Sequence, residues 1–337
     1  MSRKILLTGI SGWIAKHTAI ELLNSGYEVL GTVRNKNLIE QTKETISKYA
    51  SIDKLSFVEL DLVKDDGWDE AAKGCKYIFH IASPFPMKVS RNRESLLPPA
   101  VDGTLRVLKA CSRTNVKKVV LTSSVAAVAY GHEKSKIYDE SDWSNTGDDS
   151  GITPYAKSKT LAEKAAWDFL DTLDSDNKFD FTVINPVGVF GPMLTSDIGT
   201  TNSLVSKLIN GELPACPATH MGYVDVRDVA KAHIFSMLNE STNEKRIIVS
   251  ESEMFFVDVG RILNDAGFKK SPTKQMPNWL VKILALFVKE LSGVTKSLGK
   301  RVDTDKSRAK SLFDWDYISA KDSIVDTANQ LSAMDKK

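Results

Sequence analysis

Nothing in this sequence is long and apolar enough to cross a bilayer. Its longest apolar stretch, Trp279 to Leu291, contains Lys282 and Lys289 and falls well short of the roughly 20 residues a spanning helix needs, so no membrane partner is expected. Cysteine is scarce. Cys75, Cys111 and Cys216 stand apart with no Cys-x-x-Cys spacing, which argues against a zinc site or a disulfide framework and suits a reducing, cytoplasmic setting. A surplus of one charge is missing too: 45 basic against 43 acidic side chains leave +2, too little for an extended nucleic-acid footprint. There is no internal repeat, low-complexity tract or long charged block. The opening Met-Ser-Arg-Lys-Ile-Leu-Leu imitates a secretion signal only until Thr8 and Gly9 end the apolar run. With 42% hydrophobic and 26% charged residues over 337 positions, the chain has the balance of an ordinary globular protein and room for one large α/β domain with a smaller lobe. A small, roughly neutral ligand remains the natural partner.

What is present is a regular alternation. Ile5 to Leu7 reads as a buried strand, residues 13–24 as a helix closed by Gly26, and Glu28 to Val33 as a second buried strand. Leu55 to Leu60, Tyr77 to Ile81, Val119 to Thr122 and Phe181 to Asn185 repeat the strand pattern, with helical patterns near 36–49, 95–113 and 155–173 between them. Strands alternating with helices predict a doubly wound, Rossmann-type parallel sheet covered on both faces. The reading places this dinucleotide-binding domain at 1–190 and a smaller, less regular substrate-binding lobe at 191–337. Part of 223–250, notably Tyr223 to Leu238, is expected to pack back on the first domain. In the stretch from Trp279, apolar residues at 279, 280, 283, 284, 287, 288 and 291 recur at helical spacing, predicting a helix that buries one broad face.

Directly after the first strand comes Gly9-Ile10-Ser11-Gly12-Trp13-Ile14-Ala15, a Gly-x-x-Gly-x-x-Ala turn that opens the first helix. Glycine allows the tight turn and close backbone approach, and a helix N-terminus offers unpaired N–H groups to pyrophosphate oxygens. The strand before and the helix after turn a weak two-glycine signal into a dinucleotide site. An acid at the end of the second strand would hold a ribose 2′-hydroxyl and repel a 2′-phosphate. Residues 29–39 hold no acid but do hold Arg34 and Lys36. Arg34 is the expected 2′-phosphate ligand, since a guanidinium grips phosphate through two N–H bonds, so NADP(H) is expected over NAD(H). Asp61-Leu62, ending the third strand, is positioned to meet the adenine; the competing reading makes Asp61 the cap of a following turn.

Tyr155 and Lys159 lie four apart at the start of a helix and so share a face. A nearby ammonium favours the phenolate and brings a phenol of ordinary pKa about 10 toward useful acid/base range. A hydroxyl-ended strand, Leu121-Thr122-Ser123-Ser124, precedes them and offers a serine to hold the same carbonyl oxygen. Tyr-x-x-x-Lys alone is common by chance; following the glycine turn and the hydroxyl-ended strand, it points to hydride chemistry.

With these elements in order, the sequence resembles the extended short-chain dehydrogenases/reductases over nearly its whole length. It is most similar to their dihydroflavonol 4-reductase, cinnamoyl-CoA reductase and fungal aldehyde/methylglyoxal reductase branch. The strings that carry the likeness are GTVR (31–34), IFHIASPF (78–85), VLTSSVAAV (120–128), YDESDW (138–143), YAKSKTLAEKAAW (155–167), INPVGVFGP (184–192) and YVDVRDVAKAH (223–233). The resemblance implies Ser124, Tyr155 and Lys159 as the catalytic triad. It also implies cofactor contacts from Gly9 through Ile14, Arg34, Asp61, Leu62, Ile81, Ala82, Ser83, Tyr155, Lys159, Pro186, Val187 and Val189, and no metal. The expected activity is NADPH-dependent reduction of a small carbonyl substrate to an alcohol.

Three rival readings share these features: a nucleotide-sugar epimerase or dehydratase, a 3β-hydroxysteroid dehydrogenase-like alcohol oxidation, and a regulator that senses NADP(H) without turnover. Arg34 speaks against the first, because an exchangeable NADPH is not needed there; the retained Tyr-Lys pair speaks against the last. Residues 193–222 hold no arginine for a diphosphate. Phe85, Met87, Tyr130, Met193, Leu194 and Met221 are candidate walls of an apolar or aromatic substrate pocket.

Overall fold

A computed structural model describes residues 3–83, 97–288, 291 and 293–334. The first half runs β1 (Lys4–Thr8), α1 (Trp13–Asn24), β2 (Glu28–Val33), α2 (Leu38–Ser47), β3 (Leu55–Glu59), α3 (Trp68–Ala72), β4 (Tyr77–His80), α4 (Leu97–Ser112), β5 (Lys118–Thr122), β6 (Ile137–Tyr138), α5 (Pro154–Asp171) and β7 (Asp180–Pro186). The second half runs β8 (Gly188–Phe190), α6 (Thr200–Ile209), β9 (His220–Asp225), α7 (Val226–Leu238), β10 (Lys245–Val249), β11 (Ser252–Phe255), α8 (Phe256–Asp265), α9 (Asn278–Leu284), β12 (Asp303–Thr304), α10 (Ser307–Leu312) and α11 (Ala320–Met334).

Seven strands form one parallel sheet in the order β10-β7-β5-β4-β1-β2-β3. Side chains alternate across it: Ile5 and Leu7 of β1 join Phe79 and Val120 in a core with α1, α2 and α7, while Leu6 joins Ile78, Val119 and Leu121 in a second core with α3, α4 and α5. Burial on both faces explains why these strands read as unbroken apolar runs. The chain moves outward from β1 to β3, then returns to β4 on the other side. The C-terminal ends of β1 and β4 therefore flank a topological switch point, the usual ligand crevice of such sheets.

Beyond β7 the chain divides its elements. β8, β9 and β11 make a three-stranded sheet whose core includes Phe190, Tyr223, Phe256 and Ile324. α7 lies against α1, and β10 completes the large sheet beside β7. The segment expected as one returning unit, Tyr223 to Leu238, is a strand of the small sheet followed by a helix on the large one. Asp225 makes that change of direction, its carboxylate accepting from the Arg227 backbone N–H at 2.8 Å to cap α7.

The stretch from Trp279 departs from expectation. The helix is shorter, Asn278–Leu284, and only Val281 in it is fully buried. Trp279 is 65% exposed, Leu286 79% and Phe287 82%, because no second layer of the described residues covers the broad apolar face.

Gly31 shows how tightly the first turn is fitted. A Cβ there would stand 2.6 Å from two side-chain atoms of Ile10, a residue with no exposed surface. Ile10 is held in turn by its N–H to the Thr32 carbonyl at 3.1 Å. Gly31→Ala is expected to lower stability by about 1–3 kcal/mol, the range for overfilling a packed interior, seen as a lower urea midpoint with an unchanged slope.

Candidate active site

The turn between β1 and α1 sits in the switch-point crevice. Gly9 adopts φ +68°, and a Cβ on it would lie 3.0 Å from both Cα and Cβ of Ala82 at the end of β4; glycine is required on both counts. The Gly9 N–H donates to Thr32 Oγ1 at 2.9 Å, and the Gly12 N–H to the Gly9 carbonyl at 2.8 Å. Gly12 caps α1 without a side chain, so the first N–H groups of the helix face outward, where an anion is favoured. Thr8 Oγ1 accepts the Ala82 N–H at 3.0 Å and hydrogen-bonds His80 Nδ1 at 2.9 Å, locking the Ile81-Ala82-Ser83 strip beside the turn.

Arg34 lies just past β2, exposed, and no hydrogen bond or ion pair engages its guanidinium among the described residues. Lys36 instead stands 3.8 Å from Glu59. Asp61 uses its carboxylate locally, accepting from the Val63 N–H at 3.1 Å, which is the turn-capping alternative. The Leu62 side chain packs against Gly103, where a Cβ would stand 2.9 Å away. Across the crevice Pro186 and Val187 are buried and Val189 half-buried at the ends of β7 and β8.

Ser124 lies two residues past β5 in extended conformation, its Oγ accepting from the Ala126 N–H at 3.1 Å. Thr153 caps α5 and Pro154 opens it, which sets Tyr155 and Lys159 on its first turns. Tyr155 hydrogen-bonds the Ser124 side chain; burial nevertheless outweighs that bond and holds the phenol above its ordinary pKa. Burial outweighs any lowering by Lys159, whose Nζ donates to the Thr122 carbonyl at 3.2 Å. Burial pushes the Lys159 amine down to about 8, opposed by Glu163. Thr122 is fixed from behind by His233, whose Nε2 meets Thr122 Oγ1 at 2.6 Å while Nδ1 meets the Val229 carbonyl at 2.7 Å. A carbonyl only accepts, so Nδ1 carries the proton and Nε2 accepts from threonine.

The candidate pocket residues separate. Tyr130 and Leu194 are half-buried, packed on the first core. Met221 is partly buried beside Gly188. Met193 is 2% exposed inside the small lobe's core, so it supplies packing rather than a wall. Its backbone is gripped at both ends by Gln330, at 2.6 and 2.5 Å. Phe85 and Met87 lie outside the described residues.

Sequence reasoning overlooked the polar groups behind the triad. Glu163, Arg246 and Asn185 are all buried, and Asn185 donates to the Ser124 carbonyl at 3.2 Å. One signal was available: Glu163 follows Lys159 by four, placing a carboxylate on the buried face of α5. Trp13 was expected as a backbone cofactor contact, and its side chain does something further. Its indole N–H donates to the Pro192 carbonyl at 2.9 Å, and His17 meets the same oxygen at 3.0 Å, tying the glycine-turn helix to the small lobe.

Comparison with known proteins agrees with this geometry. Residues 5–249 match the NAD dependent epimerase/dehydratase family. The chain is 34% identical to an NADPH-dependent methylglyoxal reductase of Saccharomyces cerevisiae, over 97% of each protein. It is 35% identical to a cinnamoyl-CoA reductase of Medicago truncatula, over 81% of this chain and 82% of that one. The crystal structure of yeast methylglyoxal/isovaleraldehyde reductase complexed with NADPH superposes with a TM-score of 0.81 at 31% identity, covering 99% of both chains. The fold, the glycine turn at the switch point and these likenesses lead to one conclusion: this chain belongs to the NAD dependent epimerase/dehydratase family, within the extended short-chain dehydrogenases/reductases.

Proposed function

We propose that the protein reduces the carbonyl group of a small apolar or aromatic aldehyde or ketone to an alcohol, with NADPH as the reductant. The observation that carries this reading is the meeting of Ser124, Tyr155 and Lys159 at the C-terminal end of β5, with Tyr155 and Ser124 already hydrogen-bonded. The cofactor fits the residues present. At Gly9 a side chain would collide with Ala82 where a pyrophosphate has to approach, and Arg34 is a cation with no partner among the described residues. Gly9 through Ile14 would hold the pyrophosphate, Arg34 the 2′-phosphate, and Lys159 with Pro186, Val187 and Val189 the nicotinamide end. Asp61, Leu62 and the Ile81-Ala82-Ser83 strip would flank the adenine side.

When bound there, NADPH would supply a hydride to the carbonyl carbon. Tyr155, held above its ordinary pKa by burial, keeps its phenolic proton through the neutral range and donates it to the carbonyl oxygen. Ser124 Oγ accepts the Ala126 N–H with one lone pair, and its O–H would orient that oxygen. The Lys159 ammonium, fixed by the Thr122 carbonyl, stabilises the negative charge that forms on Tyr155. The related methylglyoxal and cinnamoyl-CoA reductases support carbonyl reduction as the reaction class. Tyr130 and Met221 favour an apolar ligand, as does the lack of arginine in 193–222.

A kinetic panel with NADPH tests the substrate class: aromatic aldehydes, methylglyoxal, a dihydroflavonol, a cinnamoyl thioester and two nucleotide sugars. The highest kcat/KM is expected among the uncharged carbonyls. A higher value for a nucleotide sugar would overturn the choice.

A further inference from the structure

The buried face of α5 carries a second charged group that the reaction above does not use. The Glu163 carboxylate has no exposed surface. Its Oε1 accepts from Arg246 Nε on β10 at 2.5 Å; its Oε2 accepts from Ser123 Oγ at 2.5 Å and from Asn185 Nδ2 on β7 at 2.8 Å. Two of these donors, Ser123 and Asn185, reach toward the triad. Ser123 is the neighbour of Ser124, and Asn185 also donates to the Ser124 carbonyl at 3.2 Å. Arg246 is itself held, stacked 3.7 Å over the Trp143 ring and bonded to the Glu140 and Asp142 carbonyls. An ion pair this deep costs desolvation of both charges, and packing alone does not call for it at this point in the helix.

We propose that Glu163 is a positioning residue for the reduction: one helical turn beyond Lys159, it keeps the lysine in its ammonium form and, through Ser123 and Asn185, fixes the backbone that presents Ser124. The inference rests on the reading of Ser124, Tyr155 and Lys159 as the reacting site. The groups that face Lys159 leave this role to Glu163. On α5 they are Tyr155 and Glu163, and across the sheet His80 at the end of β4. Burial drives His80 down to about 3, and His233 behind Thr122 down to about 4, so neither is charged near neutrality. Arg246, on the far side of Glu163, is a cation and opposes the ammonium. Glu163 is the anion that favours a charged Lys159, whose amine burial alone drives toward neutrality.

The test is the pH dependence of kcat with NADPH and a reactive aldehyde, in wild type, Lys159→Met, Glu163→Gln and the double variant Glu163→Gln/Arg246→Met. In wild type, kcat declines on the alkaline side as Lys159 loses its proton. Lys159→Met should abolish that decline. If the decline persists there, the catalytic reading fails. In Glu163→Gln the carboxylate no longer opposes deprotonation, so the decline should begin about one pH unit or more lower, the scale of one opposite charge a few ångströms away, while KM for NADPH stays near wild type. The double variant removes both buried charges, avoids the unpaired guanidinium that threatens folding of the single one, and should show a displacement in the same direction but smaller, because loss of the Arg246 cation offsets part of the loss of the carboxylate. A Glu163→Asp variant, which keeps the charge, should restore most of it. A decline that vanishes in Lys159→Met but stays at its wild-type pH in the folded Glu163 variants overturns the positioning role alone.

Discussion

Tyr155→Phe should reduce turnover by about 10²-fold or more, the scale of positioned acid–base assistance, while NADPH affinity stays near wild type. The substitution removes one hydroxyl and keeps the ring that α5 holds among buried neighbours. Its loss also frees Ser124 Oγ, which remains pinned by the Ala126 N–H at 3.1 Å, so the rest of the site should keep its shape. Steady-state kinetics with a fluorescence titration of NADPH separates the two effects. A variant with near-normal kcat would remove Tyr155 from the proton-donor role, and one that loses cofactor binding in parallel would mark it as structural.

Arg34→Ala should weaken NADPH by roughly 1.5–3 kcal/mol, about 10- to 150-fold, and leave NADH almost untouched. The asymmetry follows from the site. Arg34 is exposed and bonds nothing else among the described residues, so its removal breaks no internal contact, and only a ligand with a 2′-phosphate has a charge to lose. Kd values for both cofactors in wild type and variant are the check. Equal losses for the two would contradict the assignment.

The large sheet was legible because both of its faces are buried. Strands such as Val119-Val120-Leu121, with at most 5% exposure, print as continuous apolar runs, and the observed β5 extends that reading by one residue to Lys118. The glycine turn was legible because left-handed backbone and a neighbouring Cβ admit one residue type at Gly9. The small lobe was not, because its strands are short and pair segments far apart in sequence: β11 meets β9 in the three-stranded sheet, and β12 meets β6 in a separate two-stranded one. No local period announces such pairs. The stretch from Trp279 misled for the opposite reason, since a helical apolar period states what a helix is able to bury and not whether a neighbour exists to bury it. At the active site, spacing pointed to Tyr155 and Lys159, and the family resemblance to Ser124, but the direction of the lysine was not legible. The Thr122 carbonyl takes its Nζ, and the buried Glu163, Asn185 and Arg246 behind it meet across α5, β7 and β10, which adjoin only once the sheet is formed.

The most direct test of carbonyl reduction is to follow the hydride itself, using NADPH carrying deuterium at the nicotinamide C4 and a reactive aromatic aldehyde. Mass spectrometry of both products should find one deuterium on the carbinol carbon of the alcohol for each NADP released. Deuterium that stays with the cofactor, with no net NADPH consumed by any uncharged carbonyl, would contradict the account.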